Sequence, residues 1–205
     1  MNLDKRLWSG PAAALLLALG IFGLALLVPG YNQVRQTVSE IGEQGSPERF
    51  PFAVMLSCVG VLLLVFASAV GSLSRRRGHS TITAWFIGFM AVPCIGLGIF
   101  AYPHPLHNVF GLLELIGYQA PIAMALSWRN DPDAQTLVRF SWIFAAIVWL
   151  TILLNLTTFH RYGTLWADVK PIYGLIQRSL FAAWFLWCIG AALLLRKQSA
   201  ISPAS

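Results

Sequence analysis

Charged residues are scarce in this chain. Asp, Glu, Lys and Arg together make up 11% of the 205 residues, whereas hydrophobic residues make up 57%. Soluble domains carry about 25% charged residues. This shortage, with a mean hydropathy of +0.68, excludes an ordinary soluble domain and predicts a chain whose main solvent is lipid. The net charge of +6 comes from basic residues in short stretches between apolar runs, a distribution that follows membrane topology. We therefore expect no nucleic-acid partner.

The chain also lacks the common motifs of soluble catalysis. It has three cysteines, each inside an apolar run, with no CxxC pair and no metal-binding spacing. No phosphate-binding glycine loop, no GxGxxG, no HExxH and no GxSxG is present. These absences leave nucleotide-driven transport and the familiar hydrolase classes without support. We predict no cofactor.

Six apolar runs account for most of the sequence. Each is close to the roughly 20 residues that a helix needs to cross about 30 Å of hydrocarbon. The first run is longer than the core of a signal peptide and predicts an uncleaved first span. Pro93 predicts a kink in the third span. We predict an all-α polytopic membrane protein, a single six-helix bundle over residues 1–205, with spans at about 10–29, 52–73, 82–101, 108–128, 138–159 and 172–195.

The distribution of Lys and Arg predicts the orientation. Nine lie on the side of the two termini and four on the other side, with Arg178 inside the sixth span. The excess marks the cytoplasmic side, so both termini are predicted in the cytoplasm and the protein in the cell (inner or plasma) membrane. The polar loops at 31–51, 102–107 and 160–170 then lie together on the outer side, where they bring Ser39, Glu40 and three of the four histidines.

The fourth span carries an unusual polar face. At about 100° per residue, His107, Gly111, Glu114 and Tyr118 fall on one side of the helix. A charged group inside a membrane is costly, so such residues generally face the bundle interior. Glu114 and Arg178 lie at similar depths, and we hypothesise that they form an ion pair. The predicted site is an outward-facing polar cavity with Glu40, His107 and Glu114 as acid–base candidates and Arg178, Gln177, Ser39, Asn155 and Tyr118 as substrate-binding candidates.

Several short motifs resemble those of a known membrane family. They are Ser39-Glu40-Ile41-Gly42 after the first span, His107 at the start of the fourth, and Gly174-Leu175-Ile176-Gln177-Arg178 at the start of the last. Their order and spacing resemble the bacterial and archaeal family catalogued as domain of unknown function 998, over nearly the whole chain. The loop also resembles, more distantly, the Frag/DRAM/Sfk membrane proteins. That resemblance implies six spans and a connection with lipids. The sequence Tyr102-Pro-His-Pro-Leu lacks the acidic residue that the family often has before its histidine.

Three classes of function remain open from the residues alone. The first is a membrane-embedded protein that binds or acts on a phospholipid or lipid-like substrate, for which Ser39 as a nucleophile needs a base within hydrogen-bond reach. The second is a non-catalytic structural or partner-binding protein, because buried charges are often paired structural groups. The third is a small-solute transporter. A metal at His104 and His107, with His160 or a glutamate as third ligand, and a haem are further alternatives. The oligomeric state is not predicted.

Overall fold

A computed structural model describes residues 2–160 and 163–201. These residues are mostly helical and contain no strand. Six helical segments are long and apolar enough to cross a membrane, which confirms the predicted all-α membrane bundle. The segments are Leu3–Ala25, Arg49–Arg76, Ile82–Ile99, Pro105–Trp128, Pro132–Thr158 and Thr164–Ser199, and we refer to them as spans one to six.

Most of the spans are not single α-helices. Span one comprises α1 (Leu3–Leu7) and α2 (Ser9–Ala25), and span two is α3 (Arg49–Arg76). Spans three and four comprise α4 (Ile82–Phe89) with α5 (Ala91–Ile99), and α6 (Pro105–Gly117) with α7 (Ala120–Trp128). Span five contains α8 (Gln135–Asn155), and span six contains α9 (Thr164–Val169) and α10 (Tyr173–Ile201). Short 3-10 helices cover Val38–Gly42, Pro132–Ala134, Leu156–His160 and Lys170–Ile172.

The predicted limits of span one were shifted along the chain. Its helix begins at Leu3, where the Asn2 side chain accepts a hydrogen bond from the backbone N–H of Lys5, and it ends at Ala25. The apolar residues after Ala25 form turns instead. Hydropathy detects an apolar stretch, whereas the capping side chain decides where the helix starts.

Two prolines determine where spans three and four break. A proline has no backbone N–H and its ring clashes with the carbonyl four residues earlier. Accordingly α4 ends at Phe89, four residues before Pro93, and α6 ends at Gly117, four residues before Pro121. Each proline then lies in the first turn of the next helix, where no N–H partner is needed. The kink predicted near Pro93 is thus present, centred on Met90.

The spans form a closed ring in chain order, in which each packs against the next and span six packs against span one. The interior is filled by large apolar side chains, including Trp128, Trp184 and Trp187, which are fully buried. The indole N–H of Trp187 donates to Ser141 Oγ at 3.1 Å, and that of Trp184 to the Gly117 carbonyl at 3.1 Å. Both donors therefore have a partner in the buried core.

Polar contacts join three segments at the end of the bundle that holds both termini, here called the terminal end. Arg77 Nη2 lies 3.0 Å from Asp131 Oδ2 and donates to Gln198 Oε1 at 3.1 Å. His79 Nε2 lies 2.9 Å from the same Asp131 oxygen. Burial alone would raise the pKa of Asp131, but hydrogen bonds from His79 and Arg77 outweigh it and hold that pKa below its usual value. The carboxylate therefore stabilises this end in its charged form.

The other end of the bundle, here called the loop end, gathers the long loop after span one and the connections between spans three and four and between spans five and six. The Gln44 N–H donates to the Tyr102 carbonyl at 2.8 Å, and the Leu175 N–H donates to the Val34 carbonyl at 3.2 Å. Trp166 and Lys170 of the third predicted loop line one cavity with Arg35 and Tyr102, so the described parts of the three predicted outer loops do meet at one end. The side chain of His160 lies outside the described residues.

Candidate functional site

The loop after span one folds into a 3-10 helix, Val38–Gly42, which presents Ser39. Thr37 caps this helix, and the Glu40 carboxylate accepts from Thr37 N at 2.8 Å and from Thr37 Oγ1 at 2.9 Å. Gln36 Nε2 donates to the other Glu40 oxygen at 2.8 Å. Glu40, predicted as an acid–base residue, thus uses both carboxylate oxygens to shape its own loop.

Ser39 and His107 are in direct hydrogen-bond contact. Ser39 Oγ lies 2.9 Å from His107 Nε2, and His107 Nδ1 lies 2.8 Å from the backbone carbonyl of Phe100. A carbonyl oxygen can only accept, so Nδ1 carries the proton and Nε2 of the neutral ring accepts from the Ser39 hydroxyl. This is the arrangement that the sequence left open for Ser39, a hydroxyl with a base within reach.

A cavity of about 310 Å³, here called the inner cavity, lies below this pair. It lies where the break after Gly117 redirects span four: α7 packs against α8 and α4, whereas α6 packs mainly against α5. The space between α6, the end of α8 and the start of α10 stays open at the loop end. Glu114 and Tyr118 line its deep part, where Tyr118 Oη donates to Glu114 Oε2 at 3.1 Å. The predicted polar face of span four therefore does line a cavity.

A second cavity of about 340 Å³, here called the outer cavity, lies on the loop side of the same pair. Its walls include the exposed cations Arg35 and Lys170 as well as Glu40. The two cavities share six lining residues, namely Ser39, His107, Asn108, Thr158, Tyr173 and Gln177. The Ser39–His107 pair is therefore part of the wall between a polar space and a largely apolar one.

The proposed ion pair between Glu114 and Arg178 was wrong. Arg178 Nη1 donates to the carbonyls of Gln33, Gln36 and Gly174 at 2.9, 3.0 and 3.0 Å. Its Nη2 donates to Tyr31 Oη at 2.6 Å. The loop folds down onto α10 at Gly174, so closely that a Cβ there would collide with three loop carbonyls. Similar depth did not imply contact, because backbone carbonyls and the Tyr31 hydroxyl bind Nη1 and Nη2 of the guanidinium instead.

Tyr31 takes part in the same anchor between the loop and α10. Its hydroxyl donates to the Thr37 carbonyl at 2.7 Å while it accepts from Arg178. Burial raises the pKa of Tyr31 above its usual value, although the hydrogen bond and the charge of Arg178 act in the opposite direction. Tyr31 therefore stays protonated at neutral pH and can donate and accept at once.

The side chains of Gln177 and Asn155 form hydrogen bonds with backbone groups and also line the inner cavity. Gln177 Oε1 accepts from the Val38 N–H at 2.6 Å, next to Ser39. Asn155 Nδ2 donates to the carbonyls of Thr151 and Ile176 at 2.8 and 3.2 Å, which ties span five to span six. Their amides thus fix the cavity walls.

Most of the predicted site residues come together, with two exceptions. Those lining the inner cavity are Ser39, His107, Glu114, Tyr118, Asn155 and Gln177. Glu40 lines only the outer cavity, and Arg178 lines neither. The sequence analysis missed Asn108, Tyr173 and the Phe100 carbonyl. Asn108 could have been found because it is next to His107 in the sequence. The Phe100 carbonyl could not, because a backbone acceptor leaves no signal in the sequence.

Metal ligation has limited support in the described part of the chain. No group of three or more His, Cys, Asp or Glu side chains that could hold a metal occurs among residues 2–160 and 163–201, within the side chains described. Both ring nitrogens of His107 contact protein atoms, and His104 Nδ1 accepts from the Leu106 N–H at 3.1 Å. The suggested third ligand His160 lies outside the described side chains. A metal at His104 and His107 stays a prediction, as does haem.

The fold and the site define a multi-pass membrane protein with a polar cavity and a largely apolar cavity that adjoin at one end of a six-helix bundle. The model of the family described as "Protein of unknown function (DUF998)" matches residues 11–194, so the chain belongs to this family. The match runs from span one into span six and confirms the resemblance seen in the short motifs. No curated protein and no solved structure matches the chain. The more distant likeness to the Frag/DRAM/Sfk proteins stays a prediction.

Proposed function

We propose that the two cavities form one binding site for a lipid or lipid-like amphiphile. The polar head occupies the outer cavity and an apolar chain occupies the inner cavity. The observation that carries this proposal is the shared wall: a polar and a largely apolar space meet at Ser39, His107 and Gln177. An amphiphile requires such a pair of adjoining environments, and few soluble metabolites do.

The lining of each cavity supports this assignment. Apolar side chains from four spans surround the inner cavity, including Leu97, Ile152 and Phe181. In the outer cavity, Arg35 and Lys170 face a single lining carboxylate, that of Glu40. The excess of positive charge favours a head group that carries phosphate or another anion.

Lipid retention in native mass spectrometry tests the proposal. The protein is incubated in a mild detergent with dioleoyl phosphatidylglycerol or dioleoyl phosphatidylcholine, and the detergent is then removed in the mass spectrometer. We expect one bound lipid per chain and a preference for phosphatidylglycerol that falls about fivefold when Arg35 and Lys170 are both changed to Gln. Equal binding of both lipids by wild type would overturn the assigned head-group charge.

A cavity-filling variant provides the sharper comparison. Gly111 lines the inner cavity, and a Cβ built there has no heavy atom within 4 Å. Because the backbone leaves room for the Cβ, Gly111→Phe should place its ring in the cavity and abolish lipid retention. Gly23 is also free of neighbours within 4 Å but lies on the exposed face of span one, so Gly23→Phe is the matched control. Retention that is equal in the two variants would overturn the proposed site.

We also propose that the protein lies in the cell membrane with both termini in the cytoplasm, which puts the site on the outer side. The excess of Lys and Arg at the terminal end supports this orientation. In a variant without the native cysteines, Gln44→Cys at the loop end should react with an impermeant maleimide in intact cells, and Arg76→Cys at the terminal end should not. The reverse pattern would invert the topology.

A further inference from the structure

We infer that Ser39 and His107 form a nucleophile–base pair that transfers an acyl group from a carboxylic ester of the bound amphiphile to water. The identity of the substrate rests on the function proposed above. The reactivity of Ser39 does not, because it depends only on the contact between the two side chains.

The distance and the tautomer both suit this role. The Ser39 Oγ to His107 Nε2 distance of 2.9 Å lies within the roughly 2.6–3.2 Å expected of an activated nucleophile and its base. The Phe100 carbonyl, 2.8 Å from Nδ1, keeps the proton off Nε2, as the third member of a catalytic triad does. A neutral carbonyl stabilises the imidazolium less than a carboxylate would, so turnover should be slow compared with that of a full triad.

The backbone explains why the third group is a carbonyl. Helix α5 ends at Ile99, and Phe100 is its C-cap residue. The last carbonyls of a helix have no partner within that helix, so the Phe100 oxygen is free to accept from the side chain of His107. The turn into α6 brings His107 back over this helix end, and 6% of its surface remains exposed.

A purely structural role for the contact is the competing explanation. The loop, however, is already fastened to α10 by Arg178 through three hydrogen bonds and by Gln177 through one. A further structural contact has no need to border open space. The Ser39–His107 pair instead borders both cavities, at the level where the ester of an amphiphile joins head and chain.

The reaction balances with water as the only co-reactant. Ser39 Oγ bonds to the ester carbonyl carbon while its proton moves to His107 Nε2. The bond from that carbon to the alkoxy oxygen then breaks, and the leaving alcohol takes the proton from Nε2. Water next gives a proton to Nε2 and bonds to the acyl carbon. Ser39 Oγ leaves with that proton, so the products are one alcohol and one carboxylic acid.

The negative charge that develops on the carbonyl oxygen needs a hydrogen-bond donor. Asn108 follows His107 on α6, lines both cavities and has an exposed side chain. Within the described residues its amide forms no hydrogen bond, so it is free to donate to the substrate. We therefore assign Asn108 as the oxyanion donor.

An alkyl fluorophosphonate probe tests the pair without any knowledge of the lipid. Ser39 Oγ attacks the phosphorus atom, fluoride leaves, and intact-protein mass spectrometry measures the adduct. We expect one adduct on wild type, none on Ser39→Ala, and a rate reduced by about 100-fold in His107→Gln. The labelling rate should rise with pH as the imidazole loses its proton, a dependence that a structural contact would not produce.

A nearby serine supplies a matched control. Ser46 lies in the same loop, and its hydroxyl donates to the Ile41 carbonyl at 2.6 Å. It borders neither cavity, so Ser46→Ala should label at the wild-type rate. An unlabelled wild type, or labelling of Ser39→Ala equal to that of wild type, would overturn the inference.

Two further measurements keep the outcome clear. If Ser39→Ala does not fold, Ser39→Cys can replace it, because it preserves the size of the side chain. The reaction of Ser39→Cys with iodoacetamide should be slower when His107→Gln is also present. An equal rate in the single and the double variant would overturn the inference. Lipid retention by Ser39→Ala separates the two proposals. Retained lipid with an unlabelled wild type would leave the lipid site standing and remove the nucleophile. Labelling of wild type without retained lipid would leave the nucleophile standing and remove the lipid site.

Discussion

Replacement of Arg178 should release the loop that carries Ser39. The guanidinium is 6% exposed and donates four hydrogen bonds, three of them to acceptors in the loop after span one, 142 to 147 residues away in sequence. The contacts join Gln33, Gln36 and Tyr31 to α10. In Arg178→Gln these acceptors lose a charged donor at a place that water does not easily reach.

The magnitude follows from those contacts. A hydrogen bond from a charged donor contributes about 1.5–3 kcal/mol, so the three contacts with the loop would contribute roughly 4.5–9 kcal/mol if they were additive. Removal of the buried charge offsets several kcal/mol, because that charge no longer has to be desolvated. We expect a net loss of about 3–5 kcal/mol, felt first as opening of the loop. At about 1.4 kcal/mol per tenfold change, that corresponds to at least 100-fold more opening.

Hydrogen exchange followed by mass spectrometry measures this opening. Peptides covering residues 31–42 should exchange at least about 100-fold faster in Arg178→Gln, whereas peptides from α3 should change little. Arg178→Lys should fall between, since an ammonium cannot reproduce the planar fork of donors. Arg35→Gln is the control, because Arg35 lies in the same loop but is exposed. Unchanged exchange in Arg178→Gln would refute the view that this residue anchors the loop.

Three other predictions concern the bundle itself. The folded-state pKa of Asp131 lies below its ordinary value of 3.8, so the Asp131 carboxylate stabilises the protein above that pH and loses this effect as the pH falls through the folded-state pKa. Asp131→Asn should therefore be less stable than wild type at pH 7. Its thermal midpoint should also fall less on acidification. Gly174→Ala should disrupt the loop through a clash with its carbonyls, whereas Gly23→Ala, in open space, should leave the thermal midpoint unchanged. Ser141→Ala leaves the buried Trp187 indole without its acceptor, and should reduce the unfolding free energy in a denaturation series by about 1–3 kcal/mol; no change would mean that another acceptor replaces it.

The site was predictable to the extent that it depends on one helix. His107, Gly111, Glu114 and Tyr118 recur at helical spacing, and all four line the inner cavity. Their common face follows from the geometry of a single element. The contribution of the 31–48 loop was predictable only in outline, because loop positions follow from contacts made after the helices have packed.

The mispredicted contact of Arg178 shows the limit of arguments from depth. Counting residues from the membrane surface put Arg178 and Glu114 at a similar level, but depth gives no information about direction around a helix. The loop carbonyls reach Arg178 on one face of α10, while Glu114 faces the cavity and bonds to Tyr118. An ion pair needs both groups on facing sides.

The sequence by itself determined the membrane class, the number of spans and the meeting of the loops at one end. These properties follow from hydropathy and chain length, which are local and sum along the chain. Tertiary structure alone decided that Ser39 meets His107, 68 residues away, and that Arg178 binds carbonyls 142 and 145 residues away. Such contacts depend on the direction of each side chain in the packed bundle, and backbone acceptors are present at every residue, so no pattern in the sequence distinguishes the ones that are used.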